Sequence, residues 1–151
     1  MSKLTILHHP NEKLREPSRD VSVERMQDPK IQRLIDDMFE TMKAADGVGL
    51  AAPQVGQNIR LIVIDSPDGP MAFFNPQIVK KSRREMNSHE GCLSVPGEWG
   101  DVARNKRVIV QAEDRTGQDV EISASGLLSI IFQHEIDHLD GILFIDKLWK
   151  K

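Results

Sequence analysis

The chain has 151 residues, with 20 Lys and Arg against 23 Asp and Glu and a formal net charge of −3, which suits one domain with a full core. Its Lys and Arg are scattered along the sequence rather than gathered into a stripe, which argues against a nucleic-acid partner. The start Met1-Ser2-Lys3-Leu4-Thr5 lacks a signal peptide's apolar run, no stretch could span a membrane, and the single cysteine, Cys92, has no disulfide partner, so a reducing cytoplasm is expected.

Residues 4–14 open with a short apolar run, then His8-His9-Pro10, which reads as a surface turn. Asp28-Pro29 pairs an N-cap with a proline at the first helical position. Ile31, Leu34, Ile35, Met38 and Met42 follow at helical spacing, predicting an amphipathic helix over 29–45. Asp46-Gly47 ends it. In 48–56 two glycines and a proline forbid a regular helix, and Gln54 has the only polar side chain. Such small residues admit either a tight helix–sheet crossing or the close approach of a substrate.

β-Branched density predicts a strand over 59–65, a turn at 66–70 and a hairpin partner at 71–74. Asn75-Pro76 leads to a further strand near 77–80, and 82–84 reads as a solvated basic turn. Residues 90–97 are bounded by glycines and a proline, which places Cys92 in a glycine-flanked turn. A strand over 107–112, a turn at 114–117 and a return strand at 118–122 precede the last helix. There Leu127, Ile130, Ile131, His134 and His138 form an apolar, core-facing stripe, with Ser123 or Ser125 as N-cap and Gly141 as the stop. A segment at 142–145 and a short tail ending Lys150-Lys151 complete the chain. No repeat, low-complexity tract or linker intervenes. The expected fold is α+β, a single domain over 1–151: antiparallel sheets around a C-terminal metal-binding helix, with a second amphipathic helix near the N-terminus.

The chemistry concentrates in His134-Glu135-Ile136-Asp137-His138. Positions four apart share a helix face, so the two imidazoles can hold one metal ion and Glu135 can reach a water on it. A catalytic site needs a third ligand and an open position. No histidine follows His138, which leaves Cys92 upstream or Asp140 and Asp146 downstream. Asp137 orients a histidine or faces solvent.

Three stretches, Gly47-x-Gly49-Leu50-Ala51-Ala52-x-Gln54, Glu90-Gly91-Cys92-Leu93-Ser94 and Gln133-His134-Glu135-x-Asp137-His138, together resemble the signature motifs of the peptide deformylases. The likeness extends through 10–15, Asn75-Pro76 and Gly141 to cover almost the whole chain. It implies a hydrolase that removes the formyl group from the N-terminal methionine of nascent polypeptides and releases formate. Cys92, His134 and His138 would then bind one divalent metal, ferrous iron in the family, with zinc, nickel or cobalt as substitutes. Glu135 would be the general acid/base, and Gln54 with the Leu93 backbone N–H would steady the oxyanion.

Metal coordination can lower the pKa of bound water from about 15.7 to near 7, which a poorly electrophilic formamide requires. Leu127, Ile130 and Ile131 are candidates for the wall of the methionine slot, unless they are plain core. Val48, Gly49 and Leu50 would form the opposite rim, with backbone groups free to pair with an extended peptide. Glu90 and Arg104 are expected to brace the Cys92 turn. Two other readings remain at this stage: a zinc peptidase with a carboxylate third ligand, and a non-catalytic protein with a structural metal. Many bacterial members continue past the equivalent of Trp149 with a basic helix, so ribosome docking is doubtful for a chain stopping at Lys151.

Overall fold

In the computed structural model, which describes residues 2–149, seven strands and three α-helices are arranged around two sheets. The expected tail at Lys150-Lys151 lies outside the described residues. Strands β1 (Gly49–Ala51), β2 (Leu61–Ser66), β3 (Gly69–Lys81), β6 (Arg107–Asp114) and β7 (Asp119–Ser125) form an antiparallel sheet in the order β1-β2-β3-β6-β7. Strands β4 (Glu85–Cys92) and β5 (Val95–Asn105) make a separate hairpin. Helices α1 (Val23–Met26) and α2 (Pro29–Ala44) precede the sheet, and α3 (Leu127–Leu139) follows it.

The large sheet is covered on both faces, and β2 shows why. Alternate side chains of a strand point to opposite faces. Leu61 and Val63 pack with Ile35, Met38 and Met42 of α2, whereas Ile62 and Ile64 pack with Ile131, Phe132 and Ile136 of α3. Each such side chain, fully buried, contributes roughly 1.5–3 kcal/mol. A third cluster of Val95, Val102, Leu143 and Phe144 fastens the β4–β5 hairpin to the segment after α3.

Helix α2 begins as expected: the Asp28 carboxylate accepts the Lys30 N–H at 2.9 Å, with Pro29 inside the first turn. The two strands expected at 71–74 and 77–80 are one, β3, with a register shift between Phe74 and Gln77. Asn75 holds that irregularity at φ 51, its amide exchanging two hydrogen bonds with the Val21 backbone.

Two local expectations need correction, and one element was not foreseen. Ser123 and Ser125 belong to β7, and α3 starts at Gly126, whose φ of 61 and ψ of −132 suit only glycine. Cys92 is not in a turn but ends β4, with Leu93 and Ser94 making the turn. The whole β4–β5 hairpin lacks a hydrophobic signature, because its inward residues include Ser88, Glu90 and Arg104.

Gly141 ends α3 at φ 76, and a Cβ there would meet the Arg15 carbonyl oxygen at 2.5 Å. Gly141→Ala should therefore lose upwards of about 1 kcal/mol, from both the left-handed backbone and the clash. An unchanged urea midpoint would refute this.

Candidate metal centre

The close of β4 and the middle of α3 meet at one point. Donor atoms of Cys92, His134 and His138 all lie within 4.8 Å of one another. Cys92 Sγ is 3.3 Å from His138 Nε2, and the two imidazoles stand edge to face with centroids 5.0 Å apart. Asp140 and Asp146, the carboxylate alternatives, point elsewhere: Asp140 accepts from Arg60 at 2.9 Å, and Asp146 pairs with Arg15.

A buried ionic network positions the rings. Arg104, 2 % exposed, donates through Nε and Nη2 to the two Glu90 oxygens, each at 2.8 Å, and through Nη1 to Asp137 at 2.7 Å. Glu90 Oε1 also lies 2.9 Å from His134 Nδ1. That contact directs the other His134 nitrogen toward Cys92 and His138, the usual way a carboxylate orients a metal-binding imidazole. Burial opposes charge on Glu90, but the hydrogen bonds from Arg104 and His134 outweigh it and hold its pKa down at about 2.

The electrostatics fit a cation. Burial pushes His134 down, yet contacts with Cys92 and Glu90 override it and raise the ring to about 10. Burial and the neighbouring His134 charge take His138 well below its ordinary value. His138 Nδ1 and Glu135 Oε1 are buried without a hydrogen-bond partner among the described residues. One sulfur and two ring nitrogens converging beside an unpaired carboxylate make a donor set suited to a divalent metal of borderline softness.

Glu135 is buried next to this set, and burial raises its pKa to about 7. Gly49 makes room for it: a Cβ there would sit 2.6 Å from Glu135 Oε2. Gln54 lies on the 3-10 turn Ala52–Val55 and is 2 % exposed. Its Oε1 accepts the Ala51 N–H at 2.9 Å, which points the amide nitrogen at Ser94 Oγ (3.1 Å) and Cys92 Sγ (3.7 Å). Ser94, fully buried, is a support that the sequence reading did not single out.

A cleft of about 470 Å³ opens over the centre, lined by Val48, Gly49 and Leu93 and by Leu127, Ile130 and Ile131 of α3. The stripe on α3 therefore serves both, with Ile131 packed in the core as well as lining the cleft. Leu127 is 66 % exposed, whereas Ile131 is buried. Leu50 differs from expectation: its side chain is buried against α2, so β1 offers only its backbone at that position. A larger depression of about 920 Å³ lies elsewhere, over Arg60 and Asp140, and contains none of the metal-binding groups.

Residues 3–151 match the polypeptide deformylase family model. A peptide deformylase of Symbiobacterium thermophilum is 52 % identical over 150 residues, spanning 97 % of this chain and 67 % of the relative. One from Chromobacterium violaceum is 48 % identical over 151 residues, 98 % of this chain and 88 % of its own length. The crystal structure of the Thermotoga maritima peptide deformylase superposes with a TM-score of 0.95 at 37 % identity, covering 99 % of this chain and 100 % of the other. That of Synechococcus elongatus, in complex with actinonin, gives 0.93 at 40 % identity, covering 100 % and 81 %.

Removing one partner of a buried ion pair costs about 3–5 kcal/mol, because the other charge stays buried. Arg104→Met strips Glu90 of its guanidinium and leaves Asp137 only Lys147, 3.1 Å away, and should lower stability by that amount in urea titration. Losing the brace on His134 should also weaken metal affinity by about 10–100-fold. A variant of unaltered stability and metal content would show that the network is not structural.

Proposed function

The chain belongs to the peptide deformylase family, a hydrolase removing the N-formyl group from nascent peptides, and from this we propose how its own residues divide the work. The observation that carries the reading is the convergence of Cys92, His134 and His138 beside buried Glu135. Those three side chains would hold one divalent metal, ferrous iron as the native ion with zinc, nickel or cobalt as substitutes, since all four accept a thiolate with two imidazoles. When bound, the metal supplies Lewis acidity that makes water nucleophilic near neutral pH.

Glu135 takes a proton from the attacking water and later passes it to the departing amine nitrogen. Its raised pKa, near 7, suits a group that must both accept and release a proton. Water adds to the formyl carbon, the C–N bond breaks, and formate leaves with the peptide's free amino group. The Gln54 amide and the Leu93 backbone N–H donate to the formyl oxygen as it gains negative charge. Gln54 is suited to this because its oxygen is pinned by Ala51, and the N–H that makes only the long 3.7 Å contact with Cys92 Sγ is the one that turns to the formyl oxygen.

The methionine side chain lies along Leu127, Ile130 and Ile131, and the peptide runs extended along the β1 rim at Val48, Gly49 and Leu50. β1 is an edge strand whose one neighbour is β2, so an added strand has backbone groups to meet. A formyl carbon bears hydrogen where acetyl bears methyl, which lets a close-walled site discriminate by size. Glu90 and Arg104 hold the ligands in place. Residues 1–151 work as a single catalytic domain. Among the described residues no helix is long and apolar enough to cross a membrane. Nascent-chain substrates and a lone thiol support a cytoplasmic location.

Glu135→Ala should bind metal normally yet release no formate from a formyl-Met peptide, whereas Cys92→Ser should lose the metal itself. Gln54→Ala should lower kcat by about 10²–10³, the usual effect of deleting one oxyanion donor. Full turnover in either Glu135→Ala or Gln54→Ala would remove the role given to that residue. Loaded with iron, the chain should lose activity in air as iron and Cys92 oxidise, whereas a nickel-loaded sample should persist. Equal decay of the two would argue against the metal-borne sensitivity.

A further inference from the structure

Six cations meet at one end of the large sheet. Lys80 and Lys81 close β3, Arg83 and Arg84 fall in the turn after it, and Lys106 and Arg107 lie where β5 passes into β6. Backbone hydrogen bonds stitch the two turns together: Ser82 N–H to the Arg107 carbonyl at 2.9 Å, and Lys106 N–H to that of Arg84 at 2.9 Å. The Arg107 N–H donates to Ser82 Oγ at 3.0 Å. Two depressions, about 450 and 380 Å³, share Ser82 and Arg107 and so form one surface. The sequence reading excluded nucleic acid because the basic residues are scattered along the chain. Folding gathers them.

All six side chains are exposed. Among the described residues none takes part in an ion pair, although Arg15, Arg60, Arg104 and Arg115 each hold a carboxylate. The patch therefore stands against a chain of net charge −3, and its like charges repel one another until an anion covers them. Ser123 and Ser125, exposed on the neighbouring strand, add hydroxyl donors to the same depression. Membrane-docking patches combine cations with apolar side chains that enter the lipid. Here, of the apolar side chains that line the depression, Val108 and Ala124 are buried and Ile109 is half-buried, so none stands out to enter lipid. A closely spaced row of phosphates is the better complement.

We infer that this end of the sheet docks on the phosphate backbone of double-helical RNA. Nascent peptides remain tethered to RNA while they are made, so RNA is the polyanion within reach of this chain's substrate. The patch is also fixed relative to the cleft. The Asn105 carbonyl accepts from Ser129 Oγ and Gln133 Nε2, both at 2.9 Å, and Gln133 directly precedes His134. Docking through the patch thus sets the orientation of α3 without occupying the metal centre.

The test is fluorescence anisotropy of the metal-loaded chain with a short labelled RNA duplex. Affinity should fall at least about tenfold between roughly 50 and 200 mM salt, as counterion release requires. The fourfold variant Lys80→Glu/Lys81→Glu/Arg83→Glu/Arg84→Glu should bind about tenfold or more weakly with a flatter salt dependence. It should release formate from a free formyl-Met peptide at the unaltered rate, which also reports that it folds. If it does not fold, Lys106→Gln/Arg107→Gln serves instead and should show a smaller loss in the same direction. No duplex binding at low salt, equal binding by a folded variant, or tighter binding to phosphatidylglycerol vesicles than to duplex would overturn the inference.

Discussion

The Arg104 guanidinium is the constraint on which the rest depends. It comes from β5, grips Glu90 on β4 with two nitrogens and reaches Asp137 on α3 with the third. Three charges removed from water are expensive, and the arrangement is tolerable only because each nitrogen of the guanidinium finds an oxygen. Glu90 is then held in a fixed position, and its Oε1 fixes the His134 ring in turn. A hairpin with little apolar surface of its own is thereby locked to the helix, and the cysteine at its end is delivered to the two imidazoles.

The other half of the centre is built by omission. Gly49 has no side chain where Glu135 needs space, and the short edge strand that carries it leaves a row of backbone groups beside the cleft. Edge strands of this kind normally invite unwanted pairing. Here the edge is three residues long and lies beside the cleft, where the proposed peptide would make use of the same exposure. Gln54 follows on the next turn, held by Ala51 and Ser94, so the polar groups around the sulfur are fixed before any substrate arrives.

Charge is also sorted across the large sheet. Carboxylates of Asp20, Glu113, Asp119, Glu121 and Asp140 line the depression over Arg60, whereas the free cations sit where β3 and β6 meet the β4–β5 hairpin. With a net charge of only −3, the molecule presents two faces of opposite sign. That separation comes from strand register and is invisible in the overall balance.

Local periodicity and turn chemistry were enough to read α2 with its Asp28 cap, the β2–β3 and β6–β7 hairpins, and the paired histidines of α3, because those signals depend on neighbours within a turn or two. The motif chemistry likewise pointed to Glu135 and offered Cys92 as one candidate ligand, since the residue types themselves limit what can bind a metal or move a proton, whereas a role for Gln54 came from the family resemblance. Tertiary structure alone decided the rest. The β4–β5 hairpin was missed because only Val95 and Val102 give it an apolar interior, while Ser88, Glu90 and Arg104 become interior residues only once they have one another. Sulfur and imidazole lie 46 residues apart in sequence, and no local pattern reports a meeting at that range. The turn of Leu50 into the core and the gathering of six scattered cations were likewise set by which strands lie side by side.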